Sequence, residues 1–250
     1  MRPKIICIDE KGDRWLAKFA RKDDVYDNPL VEYATMSLAF KFKITIPDIM
    51  TIKLENSTAF LIIMFDNSSN IVLSALSVLN TNDKDFQSWN YIKIFQKIIS
   101  ISENKKIKKD NLGEEFFRRI AFNIFCNNTD DHPRNHSILW NGKDLLLSPC
   151  YDITPSYKRE GATYSNMLAC AFGDENRLAT YTNLLSSLDN FYVSQAKAYT
   201  ILLELKDIAN VWQEHFKKCG VSDEDINYFT GAFTDTKQLD NAIYELSLKP

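Results

Sequence analysis

The stretch from Asn127 to Asp152 constrains this chain more than any other. Just upstream, Phe117, Ile120, Ala121 and Ile124 form one face of a helix expected over 114–125. That helix runs into Asn127-Asn128-Thr129-Asp130-Asp131-His132-Pro133-Arg134-Asn135-His136-Ser137. Two short apolar runs follow, Ile138-Leu139-Trp140 and Leu145-Leu146-Leu147, joined across Asn141-Gly142. Asn-Gly between such runs is a strong short-range hairpin signal. The segment then closes on Ser148-Pro149-Cys150-Tyr151-Asp152. A buried helix, a polar loop and a hairpin in that order can bring Asp130, Asn135 and Asp152 to one end of the hairpin. Hard oxygen ligands such as Asn135 and Asp152 suit Mg²⁺, which keeps several waters and bridges phosphates. Asp130 is free to accept a proton from a hydroxyl nucleophile.

Upstream, the chain reads as β-rich. Lys4 to Ile8 and Arg14 to Phe19 form a hairpin across the Asp9–Asp13 turn, with Lys18 near the end of the second strand. A helix follows, with Asn28 as the expected cap, Pro29 at its start and Glu32 in its first turn. Val31, Thr35, Leu38 and Phe42 recur at helical spacing. Met50 to Leu54 and Thr58 to Phe65 read as two more strands, the second apolar throughout and so buried on both faces. The polar stretch 66–70 marks a lobe boundary. Beyond it, Ile71 to Leu79 reads as strand then helix, and helices are expected over 89–101, 194–216, 223–230 and 236–246. Glu103 to Asp110 holds four lysines and reads as a solvated loop. The expected fold is α+β and two-lobed: a small β-containing N-lobe over 1–66 and a larger helical C-lobe over 67–250.

Composition excludes several classes. Thirty Lys and Arg against 33 Asp and Glu give the 250-residue chain a net charge of −3, the wrong balance for holding nucleic acid by bulk charge. The longest apolar run, Ala59 to Phe65, is far short of the roughly 20 residues that span a bilayer. The N-terminus leads into a β-like run and not into a signal-peptide core. Five cysteines without CxxC spacing read as reduced, mostly buried thiols, and the expected location is the cytoplasm.

The order of elements matches what phosphoryl transfer in protein kinases requires. There, a catalytic-loop Asp orients the hydroxyl, an Asn five residues on helps hold metal, and a later Asp holds metal on the phosphates. Asp130 and Asn135 have that spacing. Tyr151-Asp152 stands where the metal-binding Asp would, although no Gly follows it. Lys18 and Glu32 match the kinase ion pair in order and element type, and Phe65-Asp66 would form the hinge, with backbone near Ile63 and Phe65 open to adenine. Taken singly, Lys18 reads as a surface lysine and Glu32 as a first-turn acid favoured by the helix dipole; their order with the later motif carries the reading. A metal hydrolase using Asp130, Asp131, His132 and His136 is disfavoured, because His215 is the only other histidine. Walker A, GxGxxG and Gly-x-Ser-x-Gly signatures are missing from the sequence.

Several segments together resemble the HipA-like serine/threonine kinases, the toxins of bacterial toxin–antitoxin systems. They are Arg2-Pro3-Lys4, Trp15 to Phe19, Glu32-Tyr33-Ala34, Phe65-Asp66, Arg119 to Asn123, Asn128-Thr129-Asp130-Asp131-His132-x-x-Asn135 and Pro149-x-Tyr151-Asp152. The resemblance implies Asp130 as catalytic base and Asn135 and Asp152 as Mg²⁺ ligands. It implies that Lys18, paired with Glu32, contacts ATP phosphates, with Ile63, Phe65 and His132 in the nucleotide-binding set. It further implies a protein substrate of the aminoacyl-tRNA synthetase class and a helix-turn-helix antitoxin through which alone the complex meets DNA. In some family systems a separate chain supplies the N-terminal subdomain. The family places a Gly/Ser-rich phosphate-covering loop just before Arg-Pro-Lys, which this sequence lacks. That leaves a second expectation, a catalytically impaired nucleotide-binding protein that acts by binding an antitoxin or partner chain. A small-molecule kinase on the same scaffold is a third reading. Ser156, close after Asp152, is a candidate autophosphorylation site by position.

Overall fold

The structure is a computed structural model that describes residues 2–55, 57–65, 71–101, 109–140, 145–157, 166–233 and 236–248. Four strands, β1 (Lys4–Ile8), β2 (Arg14–Phe19), β3 (Ile49–Lys53) and β4 (Thr58–Ile63), form an antiparallel sheet in the order β1-β2-β4-β3. Strand alternation splits the sheet's residues between its two faces. Trp15, Ala17, Ala59 and Leu61 make a small cluster on one face. Phe60 and Ile62 join the main core on the other. Lys18 lies opposite Phe60 in register, so it shares the core-side face.

Helix α1 (Asn28–Lys41) packs under that face and is buried almost all round, because it is wedged between β4 and a long C-terminal helix, α6 (Gln195–Lys218). Its cap corrects the sequence reading: Asp27, not Asn28, accepts the Leu30 N–H, and Asn28 is the first helical residue. Either side chain suits an N-cap.

A second sheet, β5 (Ile71–Ser74), β6 (Ser137–Trp140) and β7 (Leu145–Leu147), is antiparallel in the order β5-β6-β7. The paired strands β6 and β7 agree with the expected hairpin; Asn141-Gly142 lies outside the described residues, as does Asp66 of the expected hinge. Short α2 (Ala75–Val78) follows β5, and α3 (Tyr91–Ile101) starts after Trp89, which packs on the core from outside the helix. Helix α4 (Lys109–Phe125) begins earlier than expected, taking in Lys109 and Asp110; the rest of the expected lysine loop lies outside the described residues. Short α5 (Tyr181–Leu185) was not expected; α7 (Asp223–Phe229) and α8 (Thr236–Ser247) agree with the expected spans. The thiols of Cys126, Cys150 and Cys170 are free and buried.

Helix α4 organises the core. Phe116, Phe117, Ile120, Ala121, Phe122, Ile124 and Phe125 are all buried. Two buried arginines on the same helix reach outward. Arg118 donates to the Phe42 carbonyl at 3.2 Å and to Glu204 of α6 at 2.7 Å, fastening the end of α1 to both helices. Arg119 donates to the Ser148 carbonyl at 2.8 Å while paired with Glu115, fixing the chain that leads from β7 to Asp152.

Gly113 shows how close this packing is. A Cβ there would lie 1.6 Å from the backbone oxygen of Phe191. In an open helix, Gly to Ala gains about 1 kcal/mol. Here the clash reverses the sign: Gly113→Ala should lower stability by about 1–3 kcal/mol in urea denaturation.

Candidate functional site

Strand and helix geometry deliver Lys18 and Glu32 to each other. Lys18 points from β2 toward α1, and Glu32 sits one turn into α1 on the side facing the sheet. Their charges meet at 2.5 Å, Lys18 Nζ to Glu32 Oε1. The same ammonium reaches Asp152 Oδ1 at 2.6 Å, 134 residues away in sequence. The three side chains differ in exposure: 4% for Glu32, 13% for Lys18 and 49% for Asp152. That gradient sets their protonation. Burial pushes the Glu32 carboxyl up to about 7, opposed by the Lys18 charge and reinforced by Asp152. Asp152 is held below the usual carboxylate range, because the Lys18 ammonium outweighs the opposing desolvation. Lys18 is raised, its two carboxylates outweighing the burial that opposes its charge.

Asp152 sits in the left-handed region with φ 62°. Asp tolerates this conformation better than most residues.

A cleft of about 580 Å³ opens beside this group; Lys18, Glu32, Asp130 and Asp152 line it together with Lys4 and Ser156. A smaller, more apolar cavity of about 310 Å³ adjoins it, sharing Lys4, Lys18 and Asp152 and lined by Leu16, Ile63, Phe65 and Tyr151. The expected hinge residues Ile63 and Phe65 thus face a cavity that touches the ion pair. The Ile63 N–H already donates to the Asp48 carbonyl at 2.9 Å, and the neighbouring Met64 N–H to Arg14 at 2.8 Å.

The loop bearing Asp130 starts where α4 ends. Asn127 takes the left-handed conformation there, φ 52°, as residues just past helix ends commonly do. Asp130 is exposed. Five residues on, Asn135 is buried and closes the loop, donating from Nδ2 to the Asp130 carbonyl at 3.1 Å. That bond uses the amide nitrogen and leaves Oδ1 as the hard oxygen of the pair. His132 is placed differently from the other candidates: its ring packs edge-on to Trp89 at 6.3 Å and lines neither cavity.

The residue next to Asp130 carries the loop. The Asp131 carboxylate is buried and accepts from Tyr91 Oη of α3 at 2.6 Å and from Asn123 Nδ2 of α4 at 2.6 Å, with His136 Nε2 at 3.0 Å. Despite burial, these donors and the positive charges near it hold Asp131 below the usual carboxylate range. Burial beside that carboxylate drives the Tyr91 phenol well above its ordinary value. His136 thereby belongs to a buried polar network and not to a metal cluster with Asp130. Among the described residues, no three His, Cys, Asp or Glu side chains are grouped to hold an ion. Sequence reasoning gave Asp131 a role only in the disfavoured hydrolase reading. Its position in an Asp-Asp pair between a buried helix and a hairpin was the available signal.

A family model described as the HipA-like C-terminal domain matches residues 1–213. The chain belongs to this family. Among solved structures, the chain is similar to HipA of Shewanella oneidensis MR-1, determined in a toxin–antitoxin complex with HipB and operator DNA. The TM-score is 0.66 at 14% identity, over 98% of this HipA-like chain and 63% of that one. It is also similar to the Helicobacter pylori proinflammatory kinase CtkA, with a TM-score of 0.58 at 14% identity, over 98% of this chain and 94% of that one. No curated protein matches by sequence. The fold is thus the two-lobed, kinase-like α+β fold of this family, and the chain spans about 63% of the Shewanella HipA chain. No described helix is long and apolar enough to cross a membrane.

The Asp131 network generates a stability prediction. Asp131→Ala strands three buried donors and should cost about 3–5 kcal/mol in urea denaturation. The pH dependence follows from the lowered carboxyl. The folded state binds fewer protons than the unfolded state, so the contribution is full above the unfolded value of 3.8 and is lost as pH falls through the folded value. Asp131→Asn should flatten that acid limb of the stability–pH curve.

Proposed function

We propose that this chain is an ATP- and Mg²⁺-dependent protein kinase acting on serine or threonine, the toxin component of a toxin–antitoxin pair. One observation carries the reading: a single ammonium, Lys18, holds Glu32 and Asp152 at the edge of a cleft that Asp130 also lines. Family membership and the likeness to CtkA support the same chemistry.

The residues present fit Mg²⁺ by their donor chemistry. Asp152 offers a half-exposed carboxylate with one oxygen on Lys18, and Asn135 offers a carboxamide oxygen. Two hard protein oxygens leave the remaining positions to water and phosphate, which is how this ion is usually held. Mg²⁺-ATP supplies the transferable phosphoryl group and offsets its charge. Lys18 neutralises phosphate charge, and Glu32 keeps the ammonium aimed into the cleft. Asp130 orients the acceptor hydroxyl and takes its proton. The apolar cavity beside Ile63 to Phe65 takes the adenine ring. Two lobe-sized units, 1–66 and 67–250, meet at this cleft.

The Shewanella HipA structure includes HipB and operator DNA. By that likeness the partner of this chain is a helix-turn-helix antitoxin, and DNA is met only through it. The proposed substrate is a protein of the aminoacyl-tRNA synthetase class, whose modification inhibits translation in the cytoplasm. A second reading is favoured by the direct Lys18–Asp152 bond, which occupies both groups that would meet the nucleotide. In that reading the chain holds nucleotide without transfer and acts by binding its partner.

Incubation with radiolabelled ATP, Mg²⁺ and a bacterial lysate tests the proposal. A labelled synthetase band should appear and fall by about 10²–10⁴-fold in Asp130→Asn. Equal label with both proteins would contradict the role of Asp130. Nucleotide binding without label in either would move the reading to the binding protein.

A further inference from the structure

We propose that the end of the cleft remote from the apolar cavity selects the acceptor polypeptide, and that the Tyr157 ring there takes an arginine side chain flanking the acceptor hydroxyl. The inference rests on the kinase reading above and adds a substrate preference to the same site.

The cleft has two chemically different ends. Lys4, Lys18 and Asp152 line both the cleft and the apolar cavity, so they mark the end where nucleotide phosphates enter. Tyr26, Tyr157, Tyr228 and Phe229 line the cleft but not the cavity, as does Asp130. In-line transfer brings the acceptor to the side opposite the departing ADP. The acceptor chain therefore approaches Asp130 from the aromatic end.

That end is built from three separate parts of the chain. Tyr26 lies just before α1, Tyr157 five residues after Asp152, and Tyr228 and Phe229 at the end of α7. Tyr26 packs edge-on to the buried Phe229 at 4.7 Å, and Tyr157 stacks on Tyr228 at 5.0 Å with 26° between the rings. Tyr157 is thus backed by a second ring and is still 50% exposed. A rigid ring held in this way is a ready platform for a planar or cationic group.

Charge around the platform selects the cation. The Asp27 N–H donates to the Asp225 carboxylate at 3.2 Å, which places two acids beside Tyr26 and Tyr228. Among the described residues, neither of them nor Asp130 is in an ion pair. The cations of the cleft are placed elsewhere. Lys18 serves Glu32 and Asp152, Arg2 is bonded to Asp24, and Lys4 stands at the nucleotide end. Arginine fits the platform better than lysine, because its guanidinium is planar, weakly hydrated and stacks on aromatic faces.

Fluorescence anisotropy of labelled peptides in the presence of Mg²⁺-ADP tests this. Each peptide carries a central serine flanked on both sides by arginine, by alanine or by glutamate. The arginine peptide should bind about tenfold more tightly than the alanine peptide, and the glutamate peptide more weakly than either. Tyr157→Ala should remove most of that preference and Tyr157→Phe should keep it, because the ring and not the hydroxyl carries it. In phosphoryl transfer from ATP to the same peptides, the preference should fall on KM and not on kcat. Equal or undetectable binding of the three peptides, or an arginine preference that survives Tyr157→Ala, would overturn the proposal. Transfer without the preference would overturn it while leaving the kinase reading intact. A Tyr157-dependent preference without transfer to any peptide would keep the peptide site and defeat the kinase reading.

Discussion

Two carboxylates sharing one buried ammonium cannot all keep their ordinary protonation, and the site is built around how that conflict is resolved. Among the described residues, Lys18 is the only cation bonded to both Glu32 and Asp152. Glu32, the more buried acid, is pushed up to about 7, while the half-exposed Asp152 stays ionised. Desolvation costs most for the acid with least water, so the negative charge collects at the mouth of the cleft. The group also ties together parts distant in sequence: β2, α1 and the turn after β7. Breaking it would leave Glu32 as an unpaired buried acid.

A second buried charge performs the matching task for the loop that bears Asp130. Asp131 gathers donors from α3, α4 and the loop's own end, and Asn135 closes the loop onto the Asp130 carbonyl. Asp130 itself remains exposed. Neighbouring aspartates therefore divide the work: one is fixed in the core, and the other is displayed in the cleft. Arg119 completes the arrangement by holding the Ser148 carbonyl, four residues before Asp152. Rigid helices thus position short polar segments, which is how a loop can hold reactive groups in place.

Much of this was legible in the sequence. The hairpin β1–β2, helix α1, strand β4 and helix α4 follow from alternation and from 3.6-residue spacing in strongly apolar segments. Lys18, Glu32, Asp130 and Asp152 could be named because their elements occur in a fixed order, and the structure brings all four to one cleft. Other features were hidden for physical reasons. Asp27 and Asn28 are equally good caps, so composition cannot choose between them. Helix α5 has five residues, too few to show a period, although Thr180 caps it. The start of α4, Lys109 and Asp110, is charged, and charged residues suit a helix end as well as a loop. Asp131 was hardest, because an Asp-Asp pair does not say which member is buried; that depends on Tyr91, 40 residues away. His132, named through family resemblance, packs against Trp89 and away from the cavities.

The central claim is that Lys18, Asp152 and Asn135 form one phosphate-and-metal site beside Asp130. A crystal structure with Mn²⁺ and a non-hydrolysable ATP analogue tests it most directly. The account predicts an anomalous manganese peak bonded to an Asp152 carboxylate oxygen and to Asn135 Oδ1, with the triphosphate against Lys18 Nζ and the base beside Ile63 to Phe65. A nucleotide bound elsewhere, or manganese with neither Asn135 nor Asp152 among its ligands, would contradict it.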